Sequence, residues 1–164
     1  MITLKHIKLA KFASQETHCY NAVIYFNGRR VCGVANAGHG GCDDYWNINP
    51  TVMADVNAYI ETLPEVTVSN SESYSYTYKP TLETICSGLV NDWVMMRDLK
   101  RHLRQRIVWV EDGKCWNSQV LAKSASYLTL LKARAQKHQE MHLNAKVLNL
   151  LPFNEALELY KENV

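Results

Sequence analysis

Read for its hydrophobic and polar positions alone, the chain begins with an alternation that slips once. Ile2 and Leu4 share one parity and Ile7 and Leu9 the other, with His6 between them. Period two marks a strand, and a one-residue slip marks a bulge, here near His6. A polar connection at Ser14-Gln-Glu-Thr17 follows. Residues 18–26, His-Cys-Tyr-Asn-Ala-Val-Ile-Tyr-Phe, are rich in aromatic and β-branched residues, and a second such run is Arg29-Arg-Val-Cys-Gly-Val-Ala35. Asn27-Gly28 separates them. This pair is the strongest short-range hairpin signal, because a two-residue type I′ turn needs positive φ at both central positions. The first 36 residues therefore predict a three-stranded antiparallel meander, with a Gly38-His39-Gly40-Gly41 loop leaving the third strand.

Beyond that loop the period lengthens. Asn49-Pro50 fits an N-cap followed by proline at the first helical position. Val52, Met53, Val56, Tyr59, Ile60 and Leu63 then recur at helical spacing until Pro64. Residues 66–79 return to period two, which puts Tyr74, Tyr76 and Tyr78 on one face of a strand. Pro80 opens a second helix with a wide apolar stripe that includes Leu82, Ile85, Leu89, Trp93 and Met96. Its end is basic, with Arg97, Lys100, Arg101, His102, Arg104 and Arg106, and cations at a helix C-terminus complement its dipole. Asp112-Gly113, inside residues 107–116, is a second hairpin signal. A third helix is predicted over 118–142, with Val120, Leu121, Tyr127, Leu128, Leu130 and Leu131 as its apolar side. A short strand over 146–150 and a last helix from Pro152, with Phe153, Ala156, Leu157 and Tyr160 inward, complete the chain. The class is α+β: an N-terminal antiparallel β-meander with helices packed on one face and a second β-hairpin, in a single domain over residues 1–164.

Composition is that of an ordinary globular protein, with 21% charged residues. The net charge of +2 is too small to imply nucleic acid or an acidic membrane as partner. No apolar run reaches the roughly 18 residues of a membrane span, and the first residues lack the apolar core of a signal peptide. A cytoplasmic location follows as an expectation. The five cysteines form no CxxC pair, so reduced thiols are expected, with Cys19, Cys32 and Cys86 buried in apolar patterns.

Candidate chemistry concentrates in Asn36-Ala-Gly-His-Gly-Gly-Cys-Asp-Asp-Tyr-Trp-Asn47. Three of the seven glycines fall within four residues here, beside side chains that donate, accept, stack or ligate. The expected ligand- or partner-binding residues are His39, Gly40, Gly41, Asp43, Asp44, Tyr45 and Trp46. The loop is no phosphate-binding loop, since no Gly-Lys-Ser/Thr follows, and it is no dinucleotide fingerprint. His39, Asp43 and Asp44 are metal-ligand types, with Glu16 or His18 as further donors, but their spacing matches no named site. A Cys42–His39 nucleophile pair lacks an orienting third group. No cofactor, catalytic residue or metal is assigned. Tyr74, Tyr76 and Tyr78, alternating with Ser and Thr, offer rigid amphipathic contact area of the kind interfaces use. The basic helix end, with Trp93, Trp109 and Trp116 near it, is a lesser candidate for nucleic acid. His138 and His142 read as a solvated helix face.

Phe12-Ala-Ser-Gln-Glu-Thr-His-Cys-Tyr20, Tyr25-Phe-Asn-Gly28 and Ala35-Asn-Ala-Gly-His-Gly-Gly-Cys42 follow one another in that order. Such a succession of a Phe-Ala-Ser-x-Glu-Thr segment, a hairpin and an Asn-x-Gly-His-Gly-Gly loop resembles small uncharacterised proteins of bacteriophages and prophages. Leu150-Leu-Pro-Phe-Asn-Glu-Ala-Leu157 is similar to how such proteins often end. The likeness covers the first third and the last dozen residues. It implies a phage origin and brings no activity with it. The expectation is a non-catalytic phage protein that binds and modulates a host protein, as an inhibitor of a host defence system does, in the host cytoplasm. The alternatives are a small-molecule or nucleotide-binding protein using the 36–47 loop and a metal-dependent hydrolase at the same loop.

Overall fold

Asn27 and Gly28 adopt φ of 47° and 81°, and the chain reverses between paired Phe26 and Arg29 in the two-residue turn their sequence demands. Asp112 and Gly113, at 52° and 69°, do the same between Glu111 and Lys114. The two hairpins belong to different units. In the computed structural model, which describes residues 1–71, 74–121 and 127–164 (backbone alone at Ser69, Asn70, Ser71 and Tyr74), the chain divides into Met1–Asp92 and Trp93–Val164. The architecture is α+β. No helix among the described residues is long and apolar enough to cross a membrane.

The first unit is built on a four-stranded antiparallel sheet: β1 (Ile2–Leu9), β2 (Tyr20–Phe26), β3 (Arg29–Asn36) and β4 (Asp44–Trp46), in that spatial order. The slip in β1 is a bulge between Lys5 and Lys8, with His6 at φ 57°. One parity of β2 and β3 is buried: Tyr20, Ala22 and Ile24 pair with Asn36, Val34 and Cys32. Val31 is the extra residue of a second bulge, and it too is fully buried. Side chains of the size of Ile24 and Val34 each contribute about 1.5–3 kcal/mol on full burial. β4 is a strand that the sequence pattern does not reveal, so the predicted three-stranded meander has a fourth member.

Asn49 caps α1 (Pro50–Glu61), accepting from Val52 N at 3.3 Å, and the helix buries Val52, Val56 and Ile60. Its Tyr59 ring meets Phe26 of β2 at 5.3 Å between centroids. A hairpin of β5 (Val66–Ser71) and β6 (Tyr74–Tyr78) follows. The second helix, α2 (Leu82–Leu103), starts two residues beyond Pro80. Thr81 and Thr84 cap it reciprocally: Thr84 N donates to Thr81 Oγ1 at 3.2 Å and Thr81 N to Thr84 Oγ1 at 2.8 Å.

The second unit holds the rest of α2, the hairpin of β7 (Val108–Glu111) and β8 (Lys114–Asn117), then α3 (Tyr127–Met141), β9 (Lys146–Val147) and α4 (Phe153–Asn163). β9 adds to β7, giving the order β8-β7-β9. One apolar cluster joins Leu99, Val108, Leu148, Ala156 and Tyr160, and another joins Ile107, Leu131, Ala135 and Val147. Asn149 ties the end of α2 to the sheet. It accepts from Val108 N at 2.7 Å and donates to the carbonyl of Leu103 at 3.2 Å, which a helix end otherwise leaves orphaned, and to that of Arg106 just beyond the helix at 2.9 Å. The predicted start of the third helix is corrected. Ser118 and Leu121 run back along the chain, donating to the carbonyls of Ile107 and Gln105 at 2.9 Å each. Residues 122–126, within the predicted helix, lie outside those described. The predicted apolar side is also narrower: Leu131 is buried and Leu121 and Tyr127 are half-buried against its cluster, while Val120, Leu128 and Leu130 stay exposed.

Candidate functional site

β3 ends on Asn36, which continues the inward parity of Cys32 and Val34. It is the one buried polar residue among those described, 7% exposed. A buried amide must be bonded, and this one uses its full capacity of two donors and two acceptors. Its Oδ1 accepts from Thr17 Oγ1 at 2.8 Å and from Gly38 N at 2.9 Å. Its Nδ2 donates to the Gly41 carbonyl at 2.9 Å and to Asp43 Oδ1 at 3.0 Å. The other oxygen of Asp43 accepts from the Tyr20 hydroxyl at 2.8 Å. One side chain thus joins the end of β3, the glycine loop and the 14–18 turn.

The glycines fit this junction by conformation and by space. Gly38 has φ 87°, and a Cβ there would collide with the Ala13 carbonyl and approach Cys19 Cβ to 2.8 Å. Gly40 has φ 79°, and its missing Cβ makes room for the Glu16 carboxylate. Gly41 has neither constraint. The Gly38 carbonyl accepts from the successive amides of Gln15, Glu16 and Thr17 at 2.9, 3.1 and 3.4 Å. Three such amides form a concavity suited to an anion, and here a carbonyl of the same chain fills it. The segments Phe12–Tyr20 and Ala35–Cys42, singled out separately in the sequence, therefore fold against each other as one double loop.

From this base the expected site residues separate into two groups. His39, Gly40, Gly41 and Cys42 are exposed on the outer loop, and His39 Nδ1 lies 3.1 Å from Gln15 Oε1. Asp44 is exposed on β4. Asp43 is turned inward and spent on Asn36 and Tyr20. Tyr45 pairs with Val34 and is half-buried. Trp46 pairs with Gly33, and its indole occupies the place where a Cβ at position 33 would stand, so this ring is chiefly packing. Tyr76 and Tyr78 do share a face, with ring centroids 6.0 Å apart, Tyr76 exposed and Tyr78 half-buried. The Tyr74 side chain lies outside the described residues.

The inward hydroxyls are kept neutral. Burial, and then the bond and charge of Asp43, push the Tyr20 hydroxyl far above the ordinary tyrosine range. Burial and Asp43 raise Tyr45 likewise. Burial pushes the Cys86 thiol of α2 up to about 12, so it is no nucleophile at neutral pH. Among the described residues no three His, Cys, Asp or Glu side chains gather to hold an ion.

A groove of about 650 Å³ runs beside the double loop. The 14–18 turn forms one wall. Thr84, Ser87, Gly88 and Asn91, which recur at helical spacing along the first half of α2, form the other, and Tyr78 borders it. Residues that carry hydroxyls, amides, a carboxylate (Glu16) and an imidazole (His18) line this space. The sequence reading did not single out Asn36, Thr17 or the groove. The inward parity of Asn36 on β3 was the available signal, since a polar residue at a core position needs partners.

No protein-family model, curated protein or solved structure matches the chain.

Proposed function

We propose that the protein is a phage-encoded binding protein, without catalysis of its own, that engages a host protein through the 39–44 loop and the adjoining groove. One observation carries this reading: the exposed loop is fixed from beneath by Asn36, so His39 and Asp44 are offered in a conformation set before any partner arrives. Such pre-organisation removes much of the ordering cost of association. The resemblance to phage proteins supplies the expectation that the partner belongs to the host. Immobilised wild-type protein challenged with host-cell lysate should retain a host protein that His39→Ala and Asp44→Ala variants of normal stability release. Equal retention by all three would overturn the assignment.

The groove favours a second reading, a small polar ligand, because its volume falls within the about 300–1,000 Å³ of ligand pockets. Gly88 separates the two. A Cβ there meets nothing within 4 Å, so Gly88→Leu narrows the groove from a position with room for a side chain. Loss of ligand-induced thermal stabilisation in Gly88→Leu, with host-protein capture intact, identifies a small-molecule site. A metal-dependent hydrolase at this loop has less support, since both Asp43 oxygens are already bonded.

A further inference from the structure

The small net charge conceals a division. Residues 1–92 carry six Lys and Arg against nine Asp and Glu, while residues 93–164 carry twelve against seven. Within the second unit, Arg97, Lys100, Arg101 and Arg104 recur at i, i+3, i+4 and i+7 and therefore share one side of α2. With Gln105 they line a concavity of about 300 Å³, and among the described residues no carboxylate lines it. The helix dipole accounts for cations only in the last turn, and Arg97 lies well before it. Neighbouring rings and one acid hold three of these four cations in place. The Arg97 guanidinium is 4.4 Å over the Trp93 ring, Lys100 Nζ is 5.0 Å over Phe153, and Arg101 pairs with Asp98 at 3.1 Å. Asn149 secures the helix end from below. The result is a cationic trough.

From Arg97 to Arg104 the helix rises about 10 Å, longer than a single phosphate requires. Arginine forks suit phosphate oxygens, and three of the four cations are arginines. His102, whose Nε2 lies 3.5 Å from the guanidinium of Arg101, borders a second concavity of about 380 Å³ together with Lys114, Tyr160 and Trp116, and Trp116 is 49% exposed. Cations that follow a backbone, beside an exposed ring that can stack a base, are the two components of single-strand recognition. We infer that the second unit binds single-stranded nucleic acid, with phosphates along Arg97–Arg104 and a base against Trp116.

Fluorescence anisotropy with a labelled single-stranded oligothymidylate tests this. Binding should weaken with salt at a log–log slope of about −2 to −3, as three or four phosphate contacts give. An Arg97→Ala/Arg104→Ala double variant should lose at least about tenfold in affinity and flatten that slope by about 1.4. Trp116→Ala should lose affinity with the slope unchanged, because stacking releases no counterions. Lys5→Ala, in the first unit, should bind as wild type does. Circular dichroism confirms that each variant is folded. No binding at low salt would overturn the inference. Tighter binding of polyglutamate than of the oligonucleotide would replace it with an acidic protein partner, and equal binding of duplex with no effect of Trp116→Ala would refute the single-strand assignment.

Discussion

Asn36→Ala is the substitution that best tests how the double loop is held. It removes four hydrogen bonds at once, but they are unequal. The Gly38 N–H lies in the interior and would be stranded, at about 1–3 kcal/mol. Asp43 keeps Tyr20 and stands partly open to water, so its loss falls near the low end for a charged acceptor. Thr17 Oγ1 and the Gly41 carbonyl are part-buried and can turn to solvent at little cost. The total is about 3–5 kcal/mol, a large share of the about 5–15 kcal/mol available to a domain. For a chain of this size that lowers Tm by about 6–20 °C. Differential scanning calorimetry measures it directly. A fall below about 2 °C, with native circular dichroism, would show that the bonds contribute little and refute the argument. Asn36→Asp sharpens the test. It loses both donors and sets a carboxylate against Asp43, so one of the two must take up a proton to be tolerated. The folded state then binds a proton that the unfolded state does not. Asn36→Asp should therefore be more stable at pH 5 than at pH 8, the reverse of what loss of a simple contact produces.

Three further outcomes are expected. Burial and Asp43 hold the Tyr20 hydroxyl protonated, and burial does so for Tyr45, so the stability they supply is whole below about pH 10 and is lost as pH rises beyond it; tyrosinate absorbance of Tyr20 and Tyr45 should appear only with unfolding, and its absence from a Tyr20→Phe difference spectrum of the native protein below that point checks this. Of the five cysteines, Cys42 is exposed and Cys86 is buried, with its thiol pushed to about 12; a thiol reagent should label Cys42 first, and rapid native labelling of Cys86 located by peptide mapping would contradict the packing. Burial and then His142 lower His138, Glu111 opposes them, and the ring lies 4.3 Å from Trp109; its contribution is whole above about pH 6.5 and is lost as pH falls, so the acid limb of a Tm–pH profile should flatten in His138→Gln.

Features decided by one residue's backbone were legible in the chain. Asn27-Gly28, Asp112-Gly113, the slip at His6 and the Asn49 cap each state a local requirement, and each is met. What depends on distant partners was not. β4 exists because Asp44, Tyr45 and Trp46 pair with Ala35, Val34 and Gly33, and its residues read instead as loop chemistry. Trp46 is explained only by the absence of a side chain at Gly33. Val120, Leu128 and Leu130 have the composition of a core and nevertheless lie exposed. At the candidate site, the glycine pattern drew attention to the correct loop. The residue that holds it, Asn36, finds Thr17 nineteen positions away, a distance that no local pattern spans.

The bulge at His6 also decides how a partner can be met. β1 is an outer edge of the four-stranded sheet, and its free side is broken where His6 takes positive φ between the exposed Lys5 and Lys8. The opposite edge, β4, is only three residues long. A foreign strand needs a long flat row of unpaired amides and carbonyls, and charged side chains and bulges are what deny it one. This sheet therefore resists edge-to-edge stacking of its own copies at high concentration, and it offers no template on which an extended peptide could be added. Recognition by this sheet must be made by side chains and loop tips, so a partner's specificity there is exposed to single substitutions rather than shared along a strand.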